Sequence, residues 1–183
     1  MNYVEYRSLI EELYEKDLVT GHEQKDSYLQ YTQMNIQRMN RWDKHFVPTE
    51  ELIAAVHEVS QKQTWLVITE GWCGDSAQIL PAVEKISSNN SLIKTKYLLR
   101  DENDGVMQQF LTNGKRSIPI VICFQDDKNV MWQWGPRPSG AVAAMEAAKE
   151  EGLDAAAVKE KLHLWYARDK QHNLQQEFLE IIM

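Results

Sequence analysis

The chain has 183 residues, of which 43 % are hydrophobic and 26 % charged, a composition typical of one ordinary globular domain. Its formal net charge of −7 disfavours binding to nucleic-acid phosphates, and no apolar run approaches the roughly 20 residues that cross a bilayer. Two cysteines, Cys73 and Cys123, exclude a disulfide scaffold and a zinc site built on three or four thiolates.

The remaining composition predicts neither a metal nor a cofactor. The five histidines have no metal-ligand spacing, and the sequence contains no glycine-rich phosphate loop. Acidic residues stand where a signal peptide would need an apolar core, so we expect a cytoplasmic protein.

Helical periodicity dominates the first 60 residues. Apolar side chains at helical spacing predict helices over residues 3–16 and from about Tyr28 to Trp42. Pro48 ends the second helix, and Thr49 is expected to cap a third that continues to Val59.

Short apolar runs then predict a sheet. Residues 64–69 are typical of a strand buried on both faces, and a helix follows them. Further strands are predicted over residues 93–99, 118–124 and 130–134, with a short helix over 104–111 and a hairpin at 126–129. Ser139 is expected to cap a helix that ends at Gly152.

The last 30 residues again have helical spacing. It begins at Asp154 and continues through Tyr166, and a loose stretch at residues 170–173 precedes a final turn or two.

These elements predict an α/β fold. A strand, a crossover helix and a second strand form a right-handed parallel unit, and the added hairpin gives a mixed four-stranded sheet with helices on both faces. We expect one domain, with the sheet core over about residues 64–152 and helical extensions over 1–60 and 153–183 packed on it.

Cys73 is the candidate nucleophile. It lies at a strand-to-helix turn, so we expect it in the first turn of the helix, where free N–H groups stabilise an anion and lower the pKa of a thiol. Trp72 could shield the sulfur, and Ser76 lies on the same helical face and could donate a hydrogen bond to it. Cys123 lies inside an apolar strand and is expected in the core.

The turn Trp-Cys-Gly-Asp-Ser at residues 72–76 resembles the active-site turn of thioredoxin, Trp-Cys-Gly-Pro-Cys. Pro81 is similar to the proline that kinks the thioredoxin active-site helix, residues 117–119 resemble the cis-proline loop, and Gly135 fits the glycine of the substrate groove. The resemblance covers about half the chain, and the chain looks like bacterial thioredoxin-like proteins with long helical extensions.

The resemblance implies thiol–disulfide chemistry in cell redox homeostasis, with the residues around the turn and the proline loop shaping the site. We expect Cys73 and Ser76 to be catalytic, and the substrate-binding surface to comprise Trp72, Gly74, Asp75, Ile118, Pro119, Gly135 and Arg137.

Three departures change the expected chemistry. Ser76 replaces the resolving cysteine, so an internal disulfide is impossible in this CxxS motif. Val67 stands where the family has its buried acid, and Asp75, in place of proline, opposes thiolate formation. A single thiolate can still form a mixed disulfide that an external thiol resolves.

Arg137 lies in a stiff loop between two prolines. Its guanidinium could offset Asp75, stabilise the thiolate or bind a carboxylate such as that of glutathione, and the spacing does not choose among these.

The favoured interpretation is a monothiol thiol–disulfide oxidoreductase acting on a protein or a low-molecular-weight, glutathione-like thiol or disulfide. Two alternatives remain open: a redox-silent thioredoxin-fold module that binds a protein partner, and a peroxide sensor that works through a Cys73 sulfenate. The sequence leaves the oligomeric state and enzymatic activity open.

Overall fold

The computed structural model describes residues 1–126 and 129–183. Within these ranges it has eight helices and four strands in the order α1 (Tyr3–Tyr14), α2 (Asp26–His45), α3 (Glu50–His57), β1 (Gln63–Thr69), α4 (Gly74–Ser87), β2 (Ile93–Leu99), α5 (Asp104–Met107), β3 (Ile120–Gln125), β4 (Asn129–Trp134), α6 (Ser139–Glu150), α7 (Ala155–Asp169) and α8 (His172–Ile182). None of the helices in these ranges has the length and apolar character needed to cross a membrane.

The strands form one mixed sheet in the order β2-β1-β3-β4. β1 pairs in parallel with β2 and antiparallel with β3, and β3 pairs antiparallel with β4. This is the predicted α/β architecture with its helical extensions. Residues 126 and 129 of the predicted hairpin lie within the described ranges, and residues 127 and 128 lie outside them.

Alternating residues of β1 separate two apolar clusters. Trp65 and Val67 belong to a large cluster that also takes in side chains from α1, α2, α3, α4, α7 and α8. Ile68 belongs to a smaller cluster, and this second cluster also contains Cys73 and Met107. Period-two alternation of a strand places consecutive side chains on opposite faces. The helical extensions therefore pack mainly on the side of Trp65 and Val67, and Cys73, in the turn after β1, joins the cluster of Ile68.

Two predicted elements are shorter than expected. The helix predicted over 104–111 ends at Met107, after which i→i−3 hydrogen bonds replace the α-helical pattern. The third strand begins at Ile120, because Pro119 has no N–H to donate to the ladder.

The start of α6 and the C-terminal helix also differ from the prediction. Pro138, not Ser139, is the N-cap of α6, and the N–H groups of Ser139 and Gly140 donate to Glu177 and Asn173 of the last helix at 2.6 and 2.8 Å. The predicted loose stretch is a brief left-handed link, and α8 has 11 residues instead of a turn or two.

Candidate functional site

Cys73 is the N-cap of α4, one position before the predicted first helical turn. Its N–H donates to the carbonyl of Glu70 at 3.1 Å, and its own carbonyl accepts from Ala77 at 3.2 Å. These bonds fix the turn between β1 and α4. They present the sulfur to the helix N-terminus, where backbone N–H groups favour a negative charge.

The sulfur faces the loop that carries Pro119. The thiol donates to the carbonyl of Ile118 at 3.5 Å, and the peptide bond between Ile118 and Pro119 is cis. Only 8 % of the Cys73 surface is exposed. The loop before β3 and the turn after β1 therefore meet at this sulfur.

Burial reverses the expected direction of the Cys73 pKa. Desolvation raises the pKa of the thiol, and the charge of Asp75 raises it further. Hydrogen bonds from the Ser76 side chain and from the backbone N–H groups of Ser76 and Asp75 act in the opposite direction but do not compensate. The expectation of a lowered pKa was wrong, because the helix terminus does not outweigh the loss of water.

A chain of three buried hydroxyl groups lies behind the sulfur. Thr69 at the end of β1 donates to the Ser76 oxygen at 2.8 Å, and the Tyr6 hydroxyl lies 3.1 Å from the Thr69 oxygen. Since Thr69 has one hydroxyl hydrogen and gives it to Ser76, Tyr6 is the donor to Thr69. The Ser76 hydrogen is thus free for the sulfur.

Asp75 is held by two partners from distant segments. Arg137 Nη2 lies 2.6 Å from one carboxylate oxygen, and the Tyr166 hydroxyl donates to the other at 2.9 Å. Burial opposes the charge of Arg137, but Asp75 keeps the pKa of the guanidinium above its ordinary value. Of the three interpretations of Arg137, the geometry supports charge compensation of Asp75.

Trp72 is fixed by stacking. Its ring lies 4.5 Å from that of Tyr28 at an interplanar angle of 13°, and the Arg100 guanidinium lies 4.9 Å from its centroid. The indole N–H donates to the carbonyl of Thr20 at 3.1 Å. The Trp72 ring is therefore held by Thr20 and Tyr28, which precede the turn in the chain, and by Arg100, which follows it.

Two glycines lie at close approaches, and Gly135 is required by its approach. A Cβ on Gly135 would lie 2.4 Å from the Pro119 carbonyl oxygen, and the φ of Gly135 is +120°. A Cβ on Gly74 would lie 3.2 Å from Cε1 of His163. The missing side chain of Gly135 thus leaves room for the Pro119 carbonyl, and that of Gly74 leaves room for His163 of α7.

A cavity of about 630 Å³ opens beside Cys73. Its polar or reactive lining residues are Trp72, Cys73, Gly74, Asp75, Arg137, Lys149, Lys159 and His163. Its apolar and aromatic walls come from Tyr28, Tyr31, Met145, Leu153, Val158 and Leu162. A larger cleft of about 770 Å³ has a different lining, including Lys62, Lys94 and Lys96, and contains no cysteine.

The structure brings the sequence-predicted residues together. Five of them line the cavity, Ile118 contacts the sulfur, Gly135 packs on Pro119, and Ser76 lies behind Cys73. The sequence analysis missed Tyr28, Tyr31, Lys159, His163 and Tyr166, which come from α2 and α7. Only the helical spacing of Val158, Leu162 and Tyr166 could have pointed to that face of α7.

Two other expectations concern residues away from the cavity. Val67, at the position of the family's acid, is buried in the large apolar cluster, and Cys123 is fully buried. Among the described residues, no group of three or more His, Cys, Asp or Glu side chains could hold a metal ion.

Comparisons with known proteins agree with this geometry. A family model described as thioredoxin matches residues 21–150. The fold is similar to that of a protein of unknown function from Pseudomonas aeruginosa, with a TM-score of 0.61, 16 % identity and coverage of 100 % of this chain and 97 % of the other. It is also similar to an HIV epitope-scaffold, with a TM-score of 0.57, 15 % identity and coverage of 100 % and 98 %.

No curated protein matches the sequence. The family match spans most of the chain, including the turn with Cys73 and the loop with Pro119. The chain therefore belongs to the thioredoxin family.

Proposed function

We propose that the protein is a cytoplasmic monothiol thiol–disulfide oxidoreductase. The observation that carries this proposal is the placement of the Cys73 sulfur at the N-terminus of α4, against the Ile118–Pro119 loop and in the lining of a cavity. A thiolate at such a place attacks disulfides, and the cavity gives a small disulfide room to approach.

The reaction has two balanced steps. The Cys73 thiolate attacks one sulfur of a disulfide, so a new S–S bond forms while the old one breaks and the second sulfur leaves as a thiolate that takes up a proton. An external thiol, such as glutathione, then attacks the mixed disulfide as its thiolate and releases Cys73. Ser76 cannot perform this second step, so the external thiol replaces the resolving cysteine.

Burial sets the pH range of the first step. Because desolvation and Asp75 raise the pKa of Cys73, only a small fraction of the resting thiol is ionised at neutral pH. We therefore expect the exchange rate to increase with pH beyond the range in which an ordinary thiol levels off.

Mass spectrometry of a defined exchange reaction tests the proposal. The Cys123→Ala variant is incubated with glutathione disulfide across a pH series, and we expect one glutathione adduct on Cys73 that reduced glutathione removes. The matched control is Cys73→Ser in the same background, which should form no adduct. If Cys73 gains no adduct when folded but does so after denaturation, the proposal is wrong.

A second candidate is the redox-silent binding module. The specific observations in its favour are that the thiol hydrogen is donated to the Ile118 carbonyl and that burial raises the pKa of Cys73. For this candidate the same experiment should give no adduct at any pH at which the protein is folded, while the cavity still binds its ligand.

A further inference from the structure

The cavity beside Cys73 combines apolar walls with positive charge. We infer that it binds a small organic anion with an aromatic or aliphatic body, which lies between the ring pair on one side and helix α7 on the other. This site goes beyond the proposed thiol chemistry, because binding there does not require the sulfur to react.

The walls of the cavity suit an apolar body. Tyr28 and Trp72 present one stacked pair, and Tyr31 adds a third ring. Val158 and Leu162 of α7 form part of the opposite wall. Ligand pockets of several hundred Å³ are lined mainly by such side chains, and few polar groups orient the ligand.

The charge of the lining is opposite to that of the whole chain. Arg137, Lys149 and Lys159 face the cavity against one carboxylate, Asp75, whereas the chain carries a formal net charge of −7. Asp75 is already paired with Arg137, so the two lysines remain to attract an anion. His163 contributes no charge of its own at neutral pH, since burial and the charges of Arg38 and Lys159 lower its pKa to about 4.

Two buried polar atoms at the cavity lack partners. Arg137 Nε and His163 Nδ1 are both inaccessible and form no hydrogen bond within the described part of the chain. An unpaired buried donor such as Arg137 Nε costs free energy, but this atom is closed to a ligand in the cavity as the side chain stands. It is the lysine charges that favour a negatively charged ligand.

Isothermal titration calorimetry with two matched probes tests the inference. In the Cys73→Ser variant, which cannot exchange disulfides, we expect 2-naphthoate to bind at least about fivefold more tightly than the neutral 2-naphthylmethanol. Equal affinity for the two probes, or no binding of 2-naphthoate, would overturn the inference. Because the thiol is absent, neither result depends on whether the proposed oxidoreductase activity is correct.

Two double variants test whether the anion binds in this cavity. Lys149→Gln with Lys159→Gln should weaken 2-naphthoate binding about fivefold and leave the alcohol unchanged. The control pair, Lys16→Gln with Lys115→Gln, removes the same charge from exposed positions outside the cavity lining and should have little effect. If both pairs weaken binding equally, the anion does not bind in this cavity.

Discussion

At the scale of single residues, Ser76 places a hydroxyl donor where a resolving cysteine would carry a more weakly donating thiol. It ends the hydroxyl chain in which Tyr6 donates to Thr69 and Thr69 donates to Ser76, so the Ser76 hydrogen remains for the sulfur. The Ser76 hydroxyl can then stabilise the charged form of Cys73, and this hydrogen bond lowers the pKa that burial has raised.

Removal of that donor gives a direct prediction. Ser76→Ala, in the Cys123→Ala background, should raise the Cys73 pKa further, because the thiolate loses a hydrogen bond and nothing replaces it. The measurement is the rate of Cys73 alkylation by iodoacetamide as a function of pH. Ser88→Ala, at the other end of α4, is the control and should leave the profile unchanged. An unaltered profile in Ser76→Ala would contradict the proposed hydrogen bond.

The ion pair beside the sulfur predicts two opposite shifts. Asp75→Asn removes a negative charge and should lower the Cys73 pKa, whereas Arg137→Gln leaves Asp75 uncompensated and should raise it. The alkylation profile measures both. Shifts of the same sign would show that packing changes, and not charge, control the thiol, and no shift in Arg137→Gln would remove this residue from the site.

At the scale of elements, α7 connects the site to the pH dependence of stability. Burial, Arg38 and Lys159 lower the His163 pKa to about 4, so the folded protein keeps this imidazole neutral while the unfolded chain protonates it below about pH 6.5. Between these two values the unfolded state binds more protons, and the free energy of unfolding falls as pH decreases.

His163→Gln should remove this contribution. When the pH is lowered from 6.5 to 4, the free energy of unfolding should decrease by about 1–2 kcal/mol more in the wild type than in the variant. The difference is no larger because His163 is partly exposed. Urea unfolding at the two pH values, followed by circular dichroism, measures the difference. Parallel losses in the two proteins would contradict a neutral His163 in the folded state.

The last helix, α8, belongs to the core by its contacts. The Phe178 ring lies 5.7 Å from Trp65, 5.9 Å from Trp132 and 5.2 Å from Trp134, and Phe178 is fully buried. We propose on this basis that the extensions fold with the sheet as one domain.

Phe178→Ala tests this single-domain proposal. The substitution should lower the free energy of unfolding by about 3–5 kcal/mol, because it empties a site between three indole rings. Urea unfolding should still give one transition by both tryptophan fluorescence and circular dichroism. The control is Leu164→Ala on the exposed face of α7, which should lower the free energy of unfolding much less. If Phe178→Ala melts α8 alone and leaves the main transition unchanged, the proposal is wrong.

The sequence predicted the helices, strands and turns that depend on residues close together in the chain. The strand over residues 64–69 and the helix after Cys73 follow from local patterns, so the turn between them could be located. The partners of that turn could not, because Tyr6 reaches Thr69 across 63 positions and Tyr166 reaches Asp75 across 91. The Cys73 pKa was misjudged for the same reason, since burial depends on segments that the motif does not contain.

At the scale of the whole molecule, the helical extensions supply part of the wall of the cavity beside Cys73. Tyr28 and Tyr31 of α2 and Val158, Leu162 and His163 of α7 line it together with the thioredoxin turn. Although the whole chain is acidic, Arg137, Lys149 and Lys159 line this cavity beside the cysteine. Under the proposed function, we expect size and charge to select a substrate before the sulfur reacts.

A crystal structure of the Cys123→Ala protein, treated with the small aromatic carboxylate disulfide 5,5′-dithiobis(2-nitrobenzoate), shows whether Cys73 reacts inside this cavity. We expect a disulfide bond between Cys73 Sγ and the thiobenzoate, with the ring between Tyr28 and α7 and the carboxylate near Lys149 or Lys159. An unmodified Cys73 with an empty cavity in crystals of the fully treated protein would contradict it.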